Sequence, residues 1–268
     1  MFVVGGAPEM PGAVVLAATA ALRAGAGKLR VGTVRSVATQ VATSVPESRV
    51  FALAETRGGA VAMSAAETIV ERACEVQSFV IGPGMTGGES IVRLARKILP
   101  RVRGACVVVD ADALSCFAGE TGLLHALGGA AVITPHATEM SDICGLGEEE
   151  IKRDPLATAL RVARDLRAVV ALKGRETYVT TPEGDAYVNR AGNVGLATSG
   201  SGDVLCGLIG GLAARGASPL LAALWGVHVH ALAGERLARR VGPLGYLARE
   251  LLDEIPALLS ELGTGPGE

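Results

Sequence analysis

Residues 198–216 read Thr-Ser-Gly-Ser-Gly-Asp-Val-Leu-Cys-Gly-Leu-Ile-Gly-Gly-Leu-Ala-Ala-Arg-Gly, so Asp203 stands between a glycine-rich turn and an apolar helix. Gly200 and Gly202 accept backbone angles closed to other residues and carry no side chain. The amides of Gly200, Ser201 and Gly202 can therefore face one anion at the helix start. A carboxylate beside that anion is a poor ligand for it, because like charges repel. Its fitting task is to take a proton from a hydroxyl that attacks phosphorus. The competing reading is an N-cap, where Asp is a favoured residue.

Four more signals follow apolar runs: Ile81-Gly82-Pro83-Gly84, Asp110-Ala111-Asp112, Thr134-Pro135-His136-Ala137-Thr138-Glu139 and Lys173-Gly174-Arg175-Glu176-Thr177. In open parallel sheets, ligands bind beyond the carboxyl ends of the strands, so their clustering there matters more than any one of them. Gly82-Pro83-Gly84 admits a ligand close to the backbone, or is an ordinary turn. Asp110 and Asp112 suit a magnesium-water cluster beside a phosphate, since hard cations prefer carboxylate oxygen, or one of them caps a helix. His136 and Glu139, three apart, project the same way. His136 can bond a polar ligand and Glu139 can serve Mg²⁺ through water, or the two form a capping arrangement. Lys173 pairs with a phosphate or with a carboxylate. His228 and His230 point to different faces of a helix and make a poor metal pair.

The elements that must carry these groups are legible from apolar runs. Phe2–Val4, Leu29–Thr33, Phe79–Ile81, Cys106–Val109, Ala131–Ile133 and Val169–Leu172 read as strands, separated by helical segments such as Ala13–Ala24 and Leu156–Leu166. Most of these strands are apolar throughout, so both sheet faces should be covered. The expected fold class is α/β, a three-layer sandwich with a central, mostly parallel sheet. Thr177–Thr181 and Ala186–Asn189 flank Pro182-Glu183-Gly184-Asp185 and predict a hairpin at the sheet edge. Residues 1–268 are expected to form one domain, with Gly263–Glu268 as a frayed tail.

Composition narrows the class. Hydrophobic residues make up 49% and charged residues 19%, a globular balance, and the net charge of −2 offers no basic stripe for nucleic acid. Five cysteines, odd in number and widely spaced, suggest neither a disulfide framework nor a zinc site, which fits a cytoplasmic protein. Met1–Gly6 lacks the basic start of a signal peptide, and the uncharged stretch Ala217–Gly234 reads as a buried helix rather than a membrane span.

Met10-Pro11-Gly12-Ala13, Ala20-Ala21-Leu22-Arg23-Ala24-Gly25-Ala26-Gly27, the Gly-Pro-Gly turn, Asp110-Ala111-Asp112-Ala113-Leu114, Thr134-Pro135-His136, Leu172-Lys173-Gly174 and the run from Gly192-Asn193 to Asp203 together resemble one family over nearly the whole chain. It is that of the ADP-dependent NAD(P)H-hydrate dehydratases. The resemblance implies a ribokinase-like fold and repair of hydrated nicotinamide cofactors. In that repair the S epimer of NADHX or NADPHX returns to NADH or NADPH while ADP becomes AMP and phosphate. It also implies Mg²⁺ as cofactor, ADP as co-substrate and a homo-oligomer, tetrameric in the family's pattern.

By motif match, Asp203 is the implied catalytic base, and Gly200, Ser201 and Gly202 the implied anion hole. Lys173, Gly174, Arg175, Glu176, Thr177 and Gly202 would contact AMP or ADP, and Ala13, Gly84, His136 and Asp203 the hydrate. A metal would be served through water by Glu139 or Asp110. Ala137-Thr138 replace the family's usual Pro-Gly, Ser199 stands where glycine is general, and the glycines that usually precede the first strand are missing, which suggests a truncated start. No epimerase domain is visible, so the R epimer is not expected to be processed. A ribokinase-like small-molecule kinase would use the same loop and base, and a nucleotide-binding regulator without chemistry would keep the loop alone.

Overall fold

The computed structural model describes residues 1–263. Nine strands form one sheet: β1 (Phe2–Val4), β2 (Leu29–Val34), β3 (Ser48–Leu53), β4 (Ser78–Ile81), β5 (Cys106–Val109), β6 (Ala131–Ile133), β7 (Val169–Leu172), β8 (Thr177–Thr180) and β9 (Ala186–Asn189). Ten α-helices accompany them: α1 (Pro11–Arg23), α2 (Ala38–Ser44), α3 (Ala66–Ala73), α4 (Glu89–Ile98), α5 (Ala137–Cys144), α6 (Glu148–Arg153), α7 (Pro155–Leu166), α8 (Ser201–Ala214), α9 (Pro219–Arg240) and α10 (Ala248–Gly263). The six predicted strands and the hairpin are present.

The strand order is β3-β2-β1-β4-β5-β6-β7-β8-β9, parallel through β7 and antiparallel for the last two. The chain therefore runs outward from β1 to β3, returns to pair β4 with β1, and continues the other way. That reversal opens a crevice at the carboxyl ends of β1 and β4. Helices α1, α8, α9 and α10 pack together on one face, while α3, α4 and α7 cover the other. Strands β1, β4 and β7 are buried along their whole length because they lie between the two layers.

Three details depart from the sequence expectations. Strand β3 has no counterpart among the predicted strands: it is an edge strand with Arg49 and Ala52 exposed, so it lacks the unbroken apolar run of its central neighbours. Helix α9 covers the stretch read as a buried helix but leaves Leu221 and Trp225 exposed along one side. Gly263, expected to begin a frayed tail, is the last residue of α10, and the rest of that tail, 264–268, lies outside the described residues.

The seam between α1 and α8 sets the positions of the groups they carry. Gly207 and Gly211 on α8 face Ala17 and Ala21 on α1. A Cβ at Gly207 would stand 2.1 Å from the Ala17 carbonyl oxygen, and one at Gly211 would stand 2.7 Å from that of Ala21. Only glycine permits two helices to approach this closely. Asp203 enters from the start of one of these helices and Ala13 from the start of the other.

Candidate active site

The turn before α8 is built as its glycines require. Gly200 sits at φ +87°, its missing Cβ leaving room for Leu16 of α1 and Ala248 of α10. The first helical bond runs from the Val204 N–H to the Gly200 carbonyl, so the amides of Gly202 and Asp203 fall in the first turn, where N–H groups lack intrahelical acceptors. Ser201 differs from the expectation that all three loop amides face an anion. Its N–H donates to the Thr198 carbonyl at 3.2 Å, and its buried hydroxyl lies 3.0 Å from His230 Nε2. Ser201 thus anchors the turn from behind. Burial lowers the His230 pKa to about 4, so the ring is neutral and can share its Nε2 between the Ser201 hydroxyl and carbonyl.

In front of the turn, β5, β6 and β7 deliver a charged cluster. Asp110, only 2% exposed, accepts from Thr134 Oγ1 at 2.6 Å and from Lys173 Nζ at 3.0 Å, both on Oδ1. Lys173 Nζ also lies 3.7 Å from Glu139 Oε2. Burial works against the Lys173 ammonium, yet Asp110 and Glu139 outweigh it and hold its pKa above the usual value. A Cβ on Gly202 would meet Lys173 Nζ at 3.5 Å and Asp110 Oδ2 at 3.8 Å, so the bare backbone of the turn rests on this ammonium. Asp110 is not a helix cap: although it precedes a 3-10 helix, Ala111–Phe117, its side chain makes no capping bond.

Asp203 faces the same cluster. Its pKa is raised to about 7, first by burial and then by the Asp110 charge, with Lys173 opposing. No hydrogen bond contributes, so the carboxylate has no partner that would fix it as an N-cap. A carboxyl poised near neutrality can accept a proton at physiological pH. Cys206, one turn further along α8, is buried with its Sγ 3.2 Å from the Asp203 carbonyl oxygen, and burial together with Asp110 keeps it a thiol. In the sequence it is only one of five widely spaced cysteines. Its place beneath the site follows from the i to i+3 spacing once Asp203 is located.

His136 and Glu139 realise both alternatives at once. Nδ1 of His136 accepts from the N–H groups of Thr138 (3.2 Å) and Glu139 (3.3 Å), while Glu139 Oε2 accepts from the His136 N–H at 2.7 Å. This is a capping box at the start of α5, and it forms with Ala137-Thr138 in place. Because Nδ1 accepts, the donor side of the ring is Nε2, which lies 3.6 Å from Glu139 Oε1 on a half-exposed side chain. The isolated parallel bridge between His136 and Lys173 fixes the two side by side.

Ala13 and Gly84 meet at the crevice between β1 and β4. A Cβ on Gly84, which has φ +64°, would stand 2.6 Å from both the Ala13 Cβ and the Met10 carbonyl oxygen. Gly82 presses against Asp110, whose carbonyl oxygen would lie 1.8 Å from an added Cβ. The Gly-Pro-Gly turn is therefore continuous with the charged cluster, and Ala13, Gly84, His136, Lys173, Gly202 and Asp203 line one edge of the sheet. Gly174 and Arg175 are exposed at the same edge and Thr177 opens β8. Glu176 is turned aside, accepting from Tyr178 Oη and Arg190 Nε at 2.9 Å each. Asp112 is exposed and outside the cluster.

One contact had no local signal. Tyr246, 1% exposed, donates from its hydroxyl to Asn193 Oδ1 at 2.9 Å, and the same oxygen accepts from Gly195 N–H at 2.9 Å. The turn leading into the anion loop is thus braced from a residue 53 positions away.

A metal was expected near Glu139 or Asp110. Among the described residues no group of three or more His, Cys, Asp or Glu could hold one. Mg²⁺ is ordinarily held by one or two carboxylates together with phosphate oxygens and water, so the absence of a cage does not disqualify the site. Oδ1 of Asp110 is taken up by Thr134 and Lys173, which leaves Oδ2 for a water-mediated contact. Glu139, partly exposed and at the mouth, keeps room for a water-mediated contact.

Comparison with known proteins gives a consistent result. The NAD(P)H-hydrate dehydratase family model matches residues 1–257. The ADP-dependent (S)-NAD(P)H-hydrate dehydratase of Xanthomonas campestris is 44% identical over 99% of this chain and 89% of its own length. The Bifunctional NAD(P)H-hydrate repair enzyme Nnr of Moorella thermoacetica is 42% identical over 97% of this chain, which spans 49% of that protein. The chain thus spans about half the length of the bifunctional relative. Among solved structures, the ADP/ATP-dependent NAD(P)H-hydrate dehydratase of Bacillus subtilis, co-crystallised with ATP/Mg²⁺ and soaked with CoA, superposes with a TM-score of 0.79 at 28% identity, covering 97% of this chain and 90% of that one. A ribokinase-like superfamily protein of Enterococcus faecalis, at 23% identity, shares the fold with a TM-score of 0.82 over 97% of this chain and 86% of its own.

Proposed function

The chain belongs to the NAD(P)H-hydrate dehydratase family, and from that premise we propose that it dehydrates the S epimer of NADHX or NADPHX at the expense of ADP. The observation that carries the reading is Asp203, held near neutrality at the mouth of an amide-lined turn beside Lys173. Asp203 takes the proton of the hydrate's hydroxyl. That oxygen attacks the terminal phosphorus of ADP, and the bond to the bridging oxygen breaks to release AMP. The C–O bond of the phosphorylated intermediate then breaks, phosphate departs with the electron pair, and loss of a ring proton restores the double bond.

The Gly202 and Asp203 amides receive the transferring phosphoryl group, and Lys173 with the loop 174–177 holds the nucleotide. Ala13, Gly84 and His136 seat the hydrate, His136 through its Nε2 proton. Mg²⁺, when bound through water at Glu139, would neutralise charge on the diphosphate. No described helix is long and apolar enough to cross a membrane, and all five cysteines are free, which supports a cytoplasmic enzyme.

The test is incubation with ADP and chemically prepared hydrate, following NADH absorbance and free phosphate together. Equal recovery of the two is expected. A stable phosphorylated product without NADH would instead make the protein a small-molecule kinase.

Lys173→Ala should raise the KM for ADP about tenfold to a hundredfold, since a hydrogen bond to a charged group contributes roughly 1.5–3 kcal/mol. It also strands Asp110, so the melting temperature must be measured alongside. A folded variant with unchanged ADP KM would remove the lysine from the nucleotide site. The same reading includes a homo-oligomer, supported by exposed Leu221 and Trp225 on α9. A light-scattering mass equal to one 27.2 kDa chain would refute it.

A further inference from the structure

The nucleotide residues lie over β7 and β8, and Ala13 with Gly84 lies over β1 and β4, so the carboxyl edge of β1, β2 and β3 is left to receive the rest of a dinucleotide. From β4 to β3 is three inter-strand spacings, about 14 Å, a distance that an extended dinucleotide bridges. The loops on that edge are packed into one rim. Ser36, after β2, donates from its N–H and hydroxyl to the Glu55 carboxylate, after β3, at 2.9 Å each. The turn Thr56–Gly59 closes with Gly59 N–H on the Thr56 carbonyl at 3.1 Å. It wedges between two loops of the hydrate site. A Cβ on Gly59 would lie 2.9 Å from Pro8, two residues from Met10, and one on Gly87 would lie 2.6 Å from Ala60.

Two cations stand on this rim. Arg57 at the tip of the turn and Arg35 beside Ser36 are both exposed, and among the described residues neither side chain has a hydrogen bond or ion pair. The carboxylate nearest in sequence, Glu55, is turned to Ser36, while Glu9 shares the rim from the β1 loop. Beneath, the hydroxyl of Thr33 is buried without a hydrogen-bond partner, against Gly6 at φ +79°. Elsewhere on the chain arginines such as Arg101, Arg190 and Arg240 are spent on carboxylates.

Resting on the dehydratase reading above, we propose that Arg57 and Arg35 form a phosphate-binding rim that grips the phosphates of the hydrate remote from the reacting ring. Arg suits this by presenting several N–H donors in a fixed plane. The shared chemistry is a phosphate, either the pyrophosphate common to both hydrates or the 2′-phosphate of NADPHX.

The experiment compares wild type with Arg57→Ala, Arg35→Ala and the double variant, on NADHX and on NADPHX, and measures binding of NAD⁺ and NADP⁺ by calorimetry. KM for the hydrate should rise about fivefold to twentyfold in each single variant and further in the double one, with kcat and the KM for ADP unchanged. A rise confined to NADPHX assigns the 2′-phosphate, and an equal rise with both hydrates assigns the pyrophosphate; either supports the rim. Unchanged KM for both hydrates in the double variant overturns it. Should the wild type bind NADP⁺ and lose that binding in the double variant yet fail to turn over either hydrate, the rim stands and the dehydratase reading falls.

Discussion

Asp203→Asn is expected to lower kcat by about a hundredfold to ten-thousandfold, the usual contribution of a positioned general base. The amide keeps the shape of the carboxyl and cannot accept the proton. Because the native side chain takes part in no hydrogen bond, the substitution breaks no contact that would disturb the fold. It also removes a charge that Asp110 repels, so stability should hold or rise. ADP should still bind, since the amides of Gly202 and Asp203 and the ammonium of Lys173 are untouched. A near-normal kcat would end the assignment of Asp203 as base.

The same residue sets the pH profile. Its folded pKa, about 7, lies above the unperturbed carboxylate value, so the basic form needed for turnover is lost as pH falls through about 7. In the wild type kcat/KM should fall about tenfold per pH unit below that point and level off above it. A profile flat between pH 5 and 8 would show that some other group takes the proton. The stability consequence has the opposite sense: with a raised carboxyl pKa, stability is fullest at low pH and is lost as pH rises toward 7, where the buried group must ionise.

Gly207→Ala is expected to destabilise the protein by forcing apart the seam between α1 and α8. Alanine is the better helix former by about 1 kcal/mol, which alone would stabilise α8. Against this, the new methyl would sit 2.1 Å from the Ala17 carbonyl oxygen and 2.7 Å from its Cα, both backbone atoms that no rotamer can move. Overpacking of a tight core costs about 1–3 kcal/mol, and a rigid obstacle belongs at the upper end, so a net loss near 2 kcal/mol is expected. Chemical denaturation should show a lower midpoint at unchanged slope. Separation of α1 from α8 also moves Ala13 relative to Asp203, so kcat should fall with stability. A midpoint equal to or above wild type would mean that the helices part more easily than their packing indicates.

Much of this was legible along the chain. Local periodicity placed six strands and the terminal hairpin, because a strand buried on both faces must be apolar at every position, whatever its neighbours. The glycines at 200 and 202 announced the anion turn for a similarly local reason: a left-handed backbone and close approach need a residue without a Cβ. Asp203, Lys173, His136 and Gly84 could be named because each follows such a local signal. Edge strand β3 escaped, since its half-exposed surface erases the pattern on which the inference depends.

Tertiary structure alone decided how these groups act on one another. Asp110 and Lys173 are 63 residues apart, and only the pairing of β5, β6 and β7 turns the carboxylate toward the ammonium. Ser201 reads as an anion-loop donor in the sequence, but the folded turn spends its N–H on the Thr198 carbonyl and sets its buried hydroxyl against His230 on another helix. The raised pKa of Asp203 depends on how far it is desolvated and on which charges face it, neither of which a linear sequence encodes in any short window. Residue types set what chemistry was available; long-range packing set the electrostatics that raise the pKa of one carboxylate and tie another to an ammonium.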